Sequence, residues 1–135
     1  MDPTELLPLL LFPLLWVAIL VVIALVGGWS LLARDHRAVA RPAEVQRFVS
    51  GRFGLLMNYN HCLVVAAADE GLFLGVLLPF RPGHPDLLVP WSEVRVLEER
   101  AGLVRPWTHL ELGPSHVRVW LAGAVGVDAA RRARR

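Results

Sequence analysis

The chain has 135 residues, 55% of them hydrophobic, a single cysteine, and a formal charge of +2. That length admits one anchor and one small domain, and one cysteine excludes an intramolecular disulfide and a multi-cysteine metal site. All of the basic charge is arginine, with no lysine; this reads as compositional bias more than as a dedicated phosphate-binding surface.

From Leu6 to Ala33 there is no ionisable side chain. About 20 apolar helical residues cross a hydrocarbon core of about 30 Å, so this run is long enough to span a bilayer. The acidic start and the long apolar run differ from a cleaved secretory signal, which has a basic start and a shorter core. Asp2 and Glu5 precede the run, and Arg34, Arg37 and Arg41 follow it. The positive-inside rule then places the N-terminus outside and the rest of the chain in the cytoplasm, single-pass. Trp16 and Trp29, about 20 Å apart along a helix, are expected at the two membrane interfaces, with Arg34, Arg37 and Arg41 at the inner one. Gly27-Gly28 reads as a flexible exit or as a surface for another helix. One uncharged helix has no polar pathway for transport.

Residues 34–50 read as a basic juxtamembrane linker with a brief helix opened by Pro42. From 51 to 121, short apolar runs punctuated by Gly, Pro, Asp and Asn predict seven strands, at about 52–57, 61–68, 72–78, 86–90, 94–100, 104–112 and 116–121. Asp69-Glu70-Gly71 suits a tight hairpin loop. The strands on either side of it are apolar on both faces, so this hairpin must be covered twice, by the domain interior and by a helix, the membrane or a partner.

The last hairpin alternates. A two-residue turn at Gly113-Pro114 sets Leu110 opposite Val117 and Thr108 opposite Val119 on the inner face. The outer face then carries Trp107 opposite Trp120, His109 opposite Arg118, and Glu111 opposite His116. Two tryptophans on a polar face mean cross-strand packing or a binding patch. Residues 122–135 form a basic tail expected to turn helical with Asp128 as its cap. Its Arg131, Arg132, Arg134 and Arg135 could meet anionic headgroups or remain solvated.

The stretch Leu88-Val-Pro-Trp-Ser-Glu-Val94, with the strand and loop before it, resembles the Ile-Pro-Trp-Ser-Asp-Ile pattern of small bacterial membrane-anchored proteins without assigned function. More distantly it is similar to the GRAM and bacterial pleckstrin-homology-like (PH-like) domains. The resemblance covers roughly residues 55 to 98. It implies an α+β membrane protein: one N-terminal transmembrane helix, then a seven-stranded, strongly bent PH-like β-barrel closed by a C-terminal helix. In lipid-binding relatives a basic loop between early strands grips the headgroup, whereas here that turn is Asp69-Glu70-Gly71. The resemblance therefore implies a protein-interaction barrel more than a lipid sensor.

The loop Phe80-Arg-Pro-Gly-His-Pro-Asp86 is stiffened by Pro82 and Pro85. It either offers Arg81, His84 and Asp86 to a partner at low entropic cost or forms a corner in which Arg81 and Asp86 pair. His36, His61, His84, His109 and His116 lack ligand spacing for a metal, and Ser92 has no context for activation. No phosphate loop, paired-carboxylate site or basic aromatic stripe for nucleic acid is visible, and nothing calls for a cofactor or small-molecule substrate. The expected function is a non-catalytic, membrane-tethered interaction module, an accessory subunit of a larger membrane complex. Its contacts are expected at Trp107, Trp120, Arg118, Arg81 and His84. The alternative is a peripheral-surface reader of anionic lipid headgroups through a GRAM/PH-like domain, the linker arginines and the basic tail.

Overall fold

The computed structural model describes residues 2–135. Helix α1 (Pro3–Gly27) is capped by the Asp2 carboxylate and runs through Pro8 and Pro13. It is long and apolar enough to cross a membrane, with a mean hydropathy of 3.1. Gly28 breaks it with a left-handed φ of 94°, and α2 (Trp29–Asp35) leaves in a new direction. Seven strands follow: β1 (Gln46–Phe53), β2 (Met57–Ala67), β3 (Gly71–Val76), β4 (Leu87–Pro90), β5 (Val94–Ala101), β6 (Pro106–Leu112) and β7 (Val117–Ala122). Helix α3 (Ala124–Ala133) closes the described chain.

The strands form one antiparallel sheet in the order β4-β3-β2-β1-β7-β6-β5. The sheet curls into a half-barrel and does not close, because β4 and β5 are its two edges. The expected seven strands and C-terminal helix are present, and the bent sheet forms a half-barrel. The Pro90-Trp91-Ser92-Glu93 stretch is the corner between those edges: Pro90 ends β4, and Trp91–Glu93 make one 3₁₀ turn before β5. The Trp91 indole donates to the Ala68 carbonyl at 2.8 Å and ties the corner to the β2–β3 turn.

The concave face is filled by alternate residues of the strands, among them Phe53, Leu63, Val65, Leu72, Leu74, Leu87, Val89, Leu110, Leu112, Val119 and Leu121. Trp29 and Leu32 of α2 enter one end of this core, near Gly113. Ala129 of α3 joins the core, and Gly126 packs on Thr108 nearer the other end of β6. A smaller cluster of Val64, Ala66 and Phe73 lies on the convex face under Ala38, Val45, Leu77 and Leu88. The second cover of the central hairpin is thus the chain's own linker.

That linker holds no helix after Pro42; β1 begins at Gln46, so a domain boundary at 51 cuts through a strand. The linker is pinned along β4: Ala38 N–H donates to the Asp86 carbonyl and Leu88 N–H to that of His36, both at 2.8 Å. The last hairpin keeps its predicted faces but slips by two residues, because its connection is the four-residue loop Gly113–His116. Leu112 faces Val117, Leu110 faces Val119, His109 faces Trp120, Glu111 faces Arg118 and Trp107 faces Ala122. Asp128 lies inside α3, and Gly123 occupies the cap position.

Candidate functional site

The convex face of β1, β7, β6 and β5 gathers the outward tryptophans of the last hairpin. Trp120 is paired across β7 with Arg52 of β1, and Trp107 across β6 with Arg100 of β5. Strand pairing therefore brings Arg52, Asn58, Arg100, Trp107 and Trp120 around one open groove of about 440 Å³. The Arg52 guanidinium donates to Asn58 Oδ1 at 2.9 Å. Arg100 lies over the Trp120 ring at 5.0 Å and Arg105 over the Trp107 ring at 5.5 Å. Such contacts favour a cation held against an aromatic face.

His109 stacks on Trp120 with ring centroids 4.2 Å apart and planes 4° from parallel. Partial burial, with Arg118 and Arg100 nearby, lowers its pKa below the ordinary imidazole value, which keeps this stack neutral. Arg118 shares the face but points to Glu111 at 3.8 Å. Both tryptophans remain partly exposed. The groove is thus aromatic at its base and lined by two guanidinium groups that already have partners in the chain, Arg52 on Asn58 and Arg100 on Glu98 Oε1 at 2.6 Å, so an anionic group flanked by apolar surface would compete with Glu98 for Arg100.

Two expected contact residues lie elsewhere. His84 is buried, and its ring touches Trp29 and Tyr59. Its Nδ1–H donates to the Pro82 carbonyl at 3.0 Å, so Nε2 accepts from the Tyr59 hydroxyl at 2.7 Å. Burial pushes its pKa down, against the Pro82 carbonyl, which raises it. A partner cannot reach it, and its role is corrected to a core hydrogen bond. Arg81 is exposed, but it sits beside α1 in the β3–β4 loop, remote from the tryptophan groove. Asp86 pairs with Arg41 in a bidentate bridge of 2.9 and 3.0 Å, not with Arg81.

The membrane-interface set also divides. Trp29 is fully buried and donates its indole N–H to the Pro85 carbonyl at 3.0 Å, so its expected interfacial place is corrected to the core. Arg41 is held against Asp86 and the Val76 carbonyl. Arg34 and Arg37 remain exposed. Trp16 is exposed and donates to the Pro79 carbonyl at 2.8 Å. Gly27 and Gly28 do allow a close approach, but of β-strand side chains: Phe53 and Met57 at Gly27, Val117 at Gly28.

In the tail, Arg132 meets Asp69 at 2.9 Å, Arg134 meets Glu99 at 2.8 Å and Arg131 meets Asp128 at 3.7 Å. Arg135 lines a groove with Glu70 and Asp128. Cys62 is buried and unpaired, with its thiol pKa pushed up by burial. Among the described residues no group of three or more His, Cys, Asp or Glu is placed to hold a metal. No protein-family model, curated protein or solved structure matches this chain. Sequence reasoning missed Arg52, Asn58 and Arg100, which join the groove only through the β1–β7 and β5–β6 pairings.

Proposed function

We propose that this chain is a non-catalytic, membrane-tethered interaction module, an accessory subunit of a larger membrane assembly, with its β unit on the cytoplasmic side. The observation that carries the reading is the groove at Trp107 and Trp120, where two partly exposed indoles share one convex face with Arg52 and Arg100. Tryptophan and arginine supply a large share of the energy at protein interfaces. Confinement by α1 raises the local concentration of the groove toward any partner in the same membrane. An acidic segment carrying an apolar side chain fits it best. In the headgroup-reading alternative Arg131, Arg132 and Arg134 would have to leave carboxylates of the chain, as Arg100 would have to leave Glu98 in the groove, so what favours the groove is its pair of indoles.

The test is gentle detergent extraction of the tagged full chain, followed by quantification of a partner recovered at fixed stoichiometry. Trp107→Ala and Trp120→Ala should each weaken recovery by about thirtyfold if each indole supplies ~2 kcal/mol. Arg100→Glu, which leaves both rings in place, should weaken it as well. Undiminished recovery with all three variants removes this face from the account.

A further inference from the structure

Helix α1 is not free along its length. Trp16 packs on Phe80 and donates to the Pro79 carbonyl, and Leu20 and Ala24 are buried. Gly83 abuts Val21, and Gly27 abuts Phe53 and Met57. The docked half thus runs from Trp16 to Gly27, and the free part from Pro3 to Leu15 extends only about 20 Å at the helical rise. A hydrocarbon core of about 30 Å requires about seven further residues. Those residues carry the β3–β4 loop with them.

We infer that the turn Leu77-Leu78-Pro79-Phe80 is a wedge inserted into the acyl region of the bilayer beside α1, so that the half-barrel sits partly sunk in the membrane. This rests on α1 crossing the membrane, as in the proposed function. Three observations on the turn support it. Leu78 is 71% exposed, with little among the described residues to cover it. Leu78 adjoins Pro79, whose carbonyl takes the Trp16 indole at 2.8 Å, so lipid around α1 at Trp16 would also reach Leu78.

The third observation concerns the backbone, whose polar groups must be satisfied internally at membrane depth. Most of the turn's groups meet this: Leu77 N–H donates to the Cys62 carbonyl at 2.9 Å, and the Leu77, Leu78 and Pro79 carbonyls accept from Phe80 N–H at 2.9 Å, Arg81 N–H at 3.3 Å and the Trp16 indole at 2.8 Å, which leaves the Leu78 N–H and the Phe80 carbonyl without a partner among the described residues. Proline at 79 removes one N–H that would otherwise need a partner. Arg81, next in the chain and exposed, can extend its guanidinium to the headgroups while its stem stays in apolar surroundings.

The test uses the full chain in a Cys62→Ala background, reconstituted into phosphatidylcholine–phosphatidylglycerol liposomes, with a fluorophore on a single cysteine at Leu10, Leu78 or Leu103. Leu78 and Leu103 are exposed, so neither replacement alters the core, and Leu103 lies in the β5–β6 loop, away from α1. Acyl-chain nitroxides should quench the Leu10 and Leu78 probes severalfold more than the Leu103 probe, and aqueous iodide should show the reverse order. A Leu78 probe that behaves like Leu103 while Leu10 is lipid-quenched overturns the wedge and leaves the tether standing. A Leu10 probe open to iodide overturns both.

Discussion

His84 shows how one side chain couples folding to pH. It is held neutral between a carbonyl that only accepts and a tyrosine hydroxyl that donates. Protonation would put a hydrogen on Nε2, facing Tyr59, and a positive charge into a site shielded from water. Its folded pKa lies below the ordinary value near 6.5, so the unfolded chain binds the proton more readily. Stability is therefore full above about pH 6.5 and falls as the pH drops below it. Thermal melts of the full chain in detergent from pH 8 to 5 should show that decline, and His84→Gln should flatten most of it, His109 supplying the remainder. Identical slopes for His84→Gln and the parent chain would show that this imidazole does not control the effect.

At the scale of elements, the α1–α2 break depends on Gly28. Its φ of 94° is costly for any residue with a Cβ, and that Cβ would stand 2.8 Å from Val117. Gly28→Ala should cost about 1–3 kcal/mol, combining left-handed strain with overpacking, read as a lower denaturation midpoint in micelles; an unchanged midpoint would mean the break is not required. The same junction shows where sequence reasoning reaches its limit. The apolar run announced α1 because length and hydropathy are local properties, and the alternation of the last hairpin announced which side chains face inward. Trp29 looked interfacial because nothing local distinguishes an indole at a membrane edge from one closing a half-barrel. The segment after Pro42 carries helix-compatible residues, yet β1 pairs on both sides, with β2 and β7, and those long-range bonds override local preference. The groove was half legible: Trp107 and Trp120 come from one hairpin, whereas Arg52 and Arg100 arrive from strands whose pairing no short window reveals.

For the whole molecule, α1, α2 and the β unit are packed together. Helix α2 and the lower half of α1 contribute to the half-barrel core, and the linker is bound along β4, with Arg41 bridged to Asp86. The module therefore cannot swing as a domain on a loose leash would. With α1 in the membrane as proposed, the tryptophan groove would be presented at an orientation fixed relative to the bilayer, which would lower the entropic cost of meeting a partner held there. This account depends on α1 residing in lipid, and alkaline carbonate extraction of membranes containing the full chain tests that most directly. The protein should stay with the membrane pellet; recovery in the carbonate supernatant would contradict the account.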